Sequence, residues 1–406
     1  MNTHFSTVSA LIALSLAVPV ACAQEASAPA NKPTPALAAE APFTVETIAT
    51  GLQVPWDMGF AADGRIFVTE RVGRVRVIQD GKLLDQPALT LDTVWKQPAE
   101  NGLMGLCLHP DFAKNHFVYI AYGNYVKKVE GQKNESDIRV VRYTESNNTL
   151  SDPKVILSGL PAGSNHAGCR VRFGPDGKLY ITAGESFKGE LAQDLTSLGG
   201  KILRVNDDGT IPTDNPFVSA ADKEKGTRGE IWSYGHRNPQ GLTWNDAGQL
   251  IEAEHGPSGE AGRTAADLGG DELNIVEKGK NYGWNVIHHN QTKEGMVSPI
   301  RQYSPALAPT NITFYNGDKF PAWKGSYFFA ALGGLRGPAA EPGIFRVEIK
   351  DGNVVKEERF LGDIGRIRFI TAGPDGYLYV TTSNKDGRSS VKVEGDDRII
   401  KLVPKK

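Results

Sequence analysis

Six times between residues 59 and 383 the chain repeats one short pattern: an apolar run, a turn containing Asp and usually Gly, and a second apolar run rich in Phe, Tyr, Val and Ile. The copies include GFAADGRIFVTE (59–70), RFGPDGKLYITAGE (172–185), LTWNDAGQLIEAE (242–254) and ITAGPDGYLYVTTS (370–383), with longer turns in the copies at 107–123 and 312–332. Asp-Gly between alternating apolar runs signals a hairpin, because glycine readily takes the positive φ that such a turn requires. The turn aspartates Asp63, Asp111, Asp176, Asp246, Asp318 and Asp375 fall 48, 65, 70, 72 and 57 residues apart. A repeat of this length, with several strands per unit, predicts a β-propeller, and the uneven spacing places insertions in its loops. Alternation supports strands locally: Val75 and Val77 share one face of Arg74–Ile78, while Arg74 and Arg76 share the other. Phe43–Ala49 (FTVETIA) precedes the first unit and Arg398–Val403 (RIIKLV) ends the series; pairing them in one blade would close the ring and remove its open edges. The expectation is an all-β, six-bladed β-propeller of four-stranded antiparallel blades, closed by N- and C-terminal strands. Several separate β-sandwiches are the competing reading, disfavoured by the lack of linkers between units.

Composition agrees. Glycine supplies 45 of 406 residues, too many for a helical protein and without the strict period of collagen. Lys and Arg number 45 against 47 Asp and Glu, so the basic surplus of a generic nucleic-acid binder is missing. Ala10–Val20 is an apolar run too short to span a bilayer comfortably, and Ala21-Cys22-Ala23 follows as a small-x-small cleavage pattern. Residues 1–23 therefore predict an export signal, 24–42 an Ala/Pro-rich linker, and 43–406 the propeller, in a protein directed to the periplasm. Val20-Ala21-Cys22 also loosely matches a lipoprotein acylation site, so an anchor at Cys22 stays open. Past the signal only Cys107 and Cys169 remain, which is no disulfide framework and no zinc pattern; they either pair or sit singly as small buried residues on strands.

Four segments are more polar or more constrained than strands need. His166, in Ser164-Asn165-His166-Ala167-Gly168, stands at a strand entrance where a near-neutral imidazole can act as a general base; a hydrogen-bonded turn histidine is the plain alternative. Tyr234–Gly241 (YGHRNPQG) places Arg237 and Asn238 between two apolar strands, giving a planar fork for carboxylates beside a mixed donor and acceptor, or else a turn anchored by Asn-Pro. Glu252–Pro257 (EAEHGP), followed by GGDELN (269–274), offers carboxylates and turn carbonyls, the hard oxygen ligands Ca²⁺ prefers, or simply a solvated acidic loop. Arg366 and Arg368 alternate on one face of a strand, at a site or at a solvent-facing edge. Nucleotide fingerprints, HExxH and Gly-x-Ser-x-Gly are absent.

Together these segments resemble the soluble sugar dehydrogenases that use pyrroloquinoline quinone (PQQ), and more closely their aldose sugar dehydrogenase branch. The resemblance runs from about Phe43 to Val403 and rests on GLQVPWDMGF (51–60), GLMGLCLHPDF (102–112), NHAGCRVRFGPDGKLY (165–180), YGHRNPQGL (234–242), EHGP with GGDELN, GKNYGW (279–284) and GRIRFITAGPDGYLYV (365–380). It implies PQQ lying across one mouth of the ring and oxidation of an aldose to a lactone, with electrons leaving to an external acceptor. By the resemblance His166 matches the general base, Arg237 and Asn238 lie near the quinone oxygens, Gly256 and Pro257 give carbonyl ligands to Ca²⁺, and Arg366 and Arg368 pair with PQQ carboxylates. Three cofactor positions depart from the glucose-dehydrogenase branch. Glu100 and His255 stand where that branch has Gln, and no Lys falls near Leu332-Gly333-Gly334, where Arg336 is the nearest cation. An insert, Ser258–Leu268, lengthens the connection after EHGP. The alternatives are a propeller that only binds a carbohydrate or a protein, and a Ca²⁺-dependent lactone hydrolase.

Overall fold

The computed structural model describes Met1 and residues 32–94, 100–126, 135–260, 268–333, 342–389 and 391–406. Nearly every element is a strand; the helical pieces are short, such as Phe112–Asn115 and Ala220–Glu224. The strands form six antiparallel sheets, the blades of a propeller. Each recurring sequence unit is the innermost strand of a blade, its turn and the second strand. The innermost strands are, in blade order, Pro55–Phe60, Leu103–Leu108, Gly168–Phe173, Asn238–Trp244, Pro309–Tyr315 and Ile367–Ala372. Second strands such as Ile66–Glu70, Leu179–Ala183 and Leu378–Thr382 are buried at every residue, as expected of a strand covered on both faces by neighbouring blades. Outer strands meet water: Thr149–Leu160 buries only four of its twelve residues. In the first blade Lys82–Leu83 and Leu89–Thr90 both pair with Arg74–Gln79, so its outer edge is split.

Closure follows the expected route. Phe43–Ala49 pairs antiparallel with Ile399–Pro404, with Phe43 opposite Pro404 and Thr47 opposite Ile400, so both chain ends complete the sixth blade. Phe43 anchors that strand by packing edge-on against Phe320, Trp323 and Phe360 of the fifth blade. Residues preceding it lie against the fifth and fourth blades: the Ala38 amide donates to the Arg359 carbonyl of the fifth, and Arg301 of the fourth donates to the carbonyls of Lys32 and Pro33. At the ring centre Arg170 is fully buried, ion-paired with Asp57 at 2.7 Å and donating to the carbonyls of Gln240 and Thr310, so one side chain ties the third blade to the first, fourth and fifth. Cys107 and Cys169 are free and buried, on the innermost strands of the second and third blades. The recurring aspartate turns join first strand to second at one end of the ring. The other end, where innermost strands begin and second strands finish, gathers the polar segments.

Candidate functional site at one mouth of the ring

The chain's register places the mouth residues. Just before or at the start of innermost strands stand Glu100, His166, Arg237, Asn238, Arg366 and Arg368; at or just beyond the ends of second strands stand Arg71, Glu185, His255, Gly256, Pro257 and Asp386. Residues more than 200 positions apart therefore meet.

His166 is 4% exposed and held at φ 54, a left-handed conformation that a side chain other than glycine adopts only when its surroundings enforce it. Two features enforce it. Its backbone oxygen would lie 2.0 Å from a Cβ on Gly184, so only glycine fits beneath the turn. Its amide and that of Ala167 donate to the two oxygens of Glu100, each at 3.1 Å. The imidazole Nδ1 lies 2.9 and 2.8 Å from the oxygens of Glu185. An ionised carboxylate only accepts, so Nδ1 carries the proton and Nε2 presents its lone pair; no described residue hydrogen-bonds to Nε2. Phe187 leans over the ring at a centroid distance of 3.9 Å and is 55% exposed on its other side.

Glu100 is the hub of the mouth. Besides the two amides it accepts from Gln240 Nε2 at 2.6 Å and Asn238 Nδ2 at 3.1 Å. Burial opposes its charge, but His255, His166 and Arg368 outweigh that and hold its pKa below the usual carboxylate value. Asn238 is fully buried and its Oδ1 accepts from the Gly168 amide at 3.0 Å. His255 directs Nε2 at the Pro309 carbonyl, 2.8 Å away, and burial lowers its pKa, which fits a neutral ring donating there. Asp271 accepts from the amides of Gly256, Leu307 and Ala308, pinning the His255–Pro257 corner to the start of the fifth blade. Gly256 and Pro257 are both buried, and a Cβ on Gly256 would lie 2.3 Å from Gly270 backbone.

Arg237 is 1% exposed; Nη2 donates to Glu260 at 2.8 Å, whereas Nε and Nη1 are buried with no hydrogen-bond partner among the described residues. Arg368, also 1% exposed, leaves Nε and Nη2 without hydrogen-bond partners among the described residues; burial, with Arg388 and Arg366 nearby, lowers its pKa to about 9. Unpaired guanidinium nitrogens in a dry site are costly, and both sets suit an anionic or carbonyl-rich guest. Arg366 is instead committed, donating to Asp386 at 2.8 Å and to the carbonyls of Leu332 and Gly333. Arg336 lies outside the described residues. Between the His166 and Arg237 groups opens a cavity of about 270 Å³ walled by Glu185, Phe187, Glu260, Trp284 and His288.

Behind Arg237 lies a second polar cluster. Glu254 accepts from the Arg237 amide at 2.7 Å and from His236 Nδ1 at 3.1 Å; Asn274 Nδ2 donates to Glu252, Glu254 and Glu272. Ligand atoms of His236, Glu252 and Glu254 lie within 4.8 Å of one another, close enough to share a cation. Burial, then the neighbouring carboxylates, raises the pKa of Glu252 and of Glu272 well above the ordinary value.

The mouth thus unites His166, Glu100, Arg237, Asn238, His255, Gly256, Pro257, Arg366 and Arg368. Sequence reasoning missed Glu185, Phe187, Glu260, Asp386 and Arg388. Glu185 stands two residues beyond the second strand Leu179–Ala183 of a recurring unit (LYITAGE), a position with nothing unusual in its sequence until its partner His166 is known.

Known proteins show the family to which the chain belongs. The model of the family described as Glucose / Sorbosone dehydrogenase matches residues 52–392. The aldose sugar dehydrogenase YliI of Escherichia coli is 35% identical over 368 residues, covering 86% of this chain and 92% of that one. Among solved structures, the PQQ-bound aldose sugar dehydrogenase of Streptomyces coelicolor superposes with a TM-score of 0.73 at 31% identity, covering 91% of this chain and 99% of that one. A putative glucose dehydrogenase from Thermus thermophilus gives 0.75 at 36% identity, over 89% of this chain and all of that one. The chain belongs to the soluble PQQ-dependent sugar dehydrogenases of the Glucose / Sorbosone dehydrogenase family, and is an oxidoreductase.

Proposed function

We propose that this protein oxidises aldoses to lactones at the mouth of the ring, with His166 as the general base. The carrying observation is the His166–Glu185 pair: a buried carboxylate at 2.8–2.9 Å fixes the tautomer, and Nε2 is left to remove the proton of the anomeric hydroxyl. As that proton arrives, the Glu185 carboxylate faces the imidazolium across Nδ1 and stabilises it. The aldose is seated in the cavity beside His166, where Phe187 and Trp284 supply apolar faces and Glu260 an acceptor for hydroxyls.

The residues present fit PQQ as the cofactor. The unpartnered nitrogens of Arg237 and Arg368 are orphaned donors that a planar molecule bearing carbonyls and carboxylates would satisfy. Arg237 and Asn238 would hold its quinone side and Arg368, joined by the Nη2 of Arg366, its carboxylates, with Glu100 and His255 bracing Asn238 between them. The chemistry supplied there by bound PQQ would be a two-electron acceptor for the hydride of the anomeric carbon, with an external acceptor as the electrons' destination. Ca²⁺, held by the carbonyls of Gly256 and Pro257, would act there as a Lewis acid on the quinone. Residues 1–23 are proposed to direct export to the periplasm; among the described residues no helix is long and apolar enough to cross a membrane.

The test is an absorption spectrum of purified protein with PQQ and Ca²⁺, before and after a panel of aldoses, alongside dye-linked turnover. Aldose-dependent bleaching of the oxidised cofactor is expected, and His166→Ala should lose turnover by more than about a hundredfold, within the usual span of general-base catalysis. Normal turnover in that variant would remove His166 from the role.

A further inference from the structure

The cofactor reading leaves a charge unexplained. No lysine stands near Leu332 and Gly333, and Arg366 already gives Nε to Asp386 and Nη1 to those two carbonyls. Yet this side of the mouth carries more positive charge than its acids balance. Arg388 arrives on the loop after the second strand of the sixth blade, and its amide donates to Asp386 Oδ1 at 2.8 Å. Its Nη2 is 3.4 Å from Asp386 Oδ2, an oxygen that Arg366 already takes at 2.8 Å. Its Nε is buried with no hydrogen-bond partner among the described residues, while the side chain as a whole remains 26% exposed. One carboxylate is thus shared by Arg366 and Arg388, and Arg368, with two more orphaned nitrogens, lies within their field. Arg71 enters the same field from the first blade, where burial comes first, and Arg388 next, in depressing its pKa. Guanidinium groups gathered at this density repel one another unless an anion joins them.

We infer that Arg388 is a third carboxylate-binding arginine of the PQQ site, supplying from the sixth blade the charge for which the fifth blade has no lysine. Asp386 is then its positioning residue: it holds the Arg388 backbone and side chain at the mouth without neutralising the cluster. A guanidinium fork suits a carboxylate bidentately, and the long 3.4 Å Asp386 contact of Nη2 beside the unpartnered Nε leaves the Nε–Nη2 edge to make that pair. The inference rests on the PQQ reading above and adds a residue that neither the motifs nor the resemblance pointed to.

The experiment is a titration of cofactor-free protein with PQQ in Ca²⁺, followed by absorbance and protein fluorescence, together with melting temperatures with and without PQQ. Arg388→Gln should raise the PQQ dissociation constant roughly ten- to a hundredfold, the range of one lost charge-assisted hydrogen bond, and shrink the melting shift that PQQ produces. Arg388→Lys, which keeps the charge and loses the fork, should fall between the two. An unchanged dissociation constant in Arg388→Gln overturns the inference. So does a lower melting temperature of the cofactor-free variant with undiminished affinity, which would assign Arg388 to holding its loop. If the unaltered protein binds no PQQ, the cofactor reading itself fails, and that outcome is visible before any variant is made.

Discussion

Glu185→Gln isolates the part of the site that no motif announced. The variant keeps the size of the side chain and removes its charge. In the native arrangement Nδ1 sits 2.8 Å from a carboxylate whose side chain is 1% exposed, so solvent screens the pair little. When His166 takes the substrate proton, a full positive charge appears about 4 Å from the centre of a full negative one, worth roughly 4 kcal/mol at an effective dielectric of 20. A glutamine oxygen could still accept from Nδ1, at about 1 kcal/mol for a neutral hydrogen bond. The difference, roughly 2–3 kcal/mol of transition-state stabilisation, corresponds to a fall in kcat of about 30- to 150-fold. Glutamine also offers N–H groups, which can present a donor to Nδ1 and move the proton to Nε2, deepening the loss. Steady-state dye reduction at saturating PQQ and Ca²⁺ should show this in kcat, with KM within a few fold and the PQQ dissociation constant unchanged. Because Glu185 acts through His166, adding Glu185→Gln to His166→Ala should cost no more than about twofold further. Two results would refute the reasoning: a single-variant kcat within threefold of the native value, or full additivity in the double variant.

Two further outcomes follow from the blade behind Arg237. Glu252 has its folded-state pKa raised by burial and by Glu254, so above about pH 4.5 the folded chain holds a proton that the unfolded chain has released. Stability should therefore decline as pH rises from there towards the folded pKa, and Glu252→Gln, which imitates the protonated acid, should flatten that decline and add roughly 1–3 kcal/mol at pH 8. Urea unfolding across pH in EDTA measures it; a variant less stable than the native chain at pH 8 would contradict the sign. Gly256→Ala puts a methyl group 2.3 Å from Gly270 backbone and 2.4 Å from the Gly269 oxygen, a clash no rotamer relieves. It should cost about 1–3 kcal/mol and displace the corner proposed for Ca²⁺, seen as a higher Ca²⁺ requirement for PQQ loading; unchanged loading would place the ion elsewhere.

The fold was readable because its signal is local and repeated. A turn such as Gly174–Lys178, where Asp176 accepts from the Lys178 amide and the Tyr180 hydroxyl, recurs at Gly373–Tyr377 with Asp375 and the Tyr379 hydroxyl, and each copy declares itself within a dozen residues. Those turns, however, all lie at the end of the ring away from the chemistry. The mouth is built from strand ends, where sequence separation is lost: Glu100 meets Asn238 and Gln240, and Asp271 meets Leu307. His166, Arg237 and Arg368 were visible because such residues are unusual among apolar strand neighbours. Glu185 and Asp386 were not, since an acid after a strand is ordinary until the partner beside it in the same blade is known.

The departures at Glu100 and His255 change meaning once their partners are counted. Glu100 accepts four N–H groups, from His166, Ala167, Asn238 and Gln240. An ionised carboxylate has about four lone-pair sites and no donor, so it can satisfy all four. A glutamine there would turn N–H groups towards some of those donors and leave buried donors unpaired, at about 1–3 kcal/mol each. Asn238 then has Nδ2 fixed by Glu100 and Oδ1 fixed by Gly168 and Gln240, an orientation that needs no help from a guest. His255, spent on Pro309, completes the same brace. These two substitutions therefore stiffen the frame that carries His166 and Asn238. Stiffness of this kind matters because His166 stands in a left-handed conformation, whose cost must be offset by the contacts that surround it.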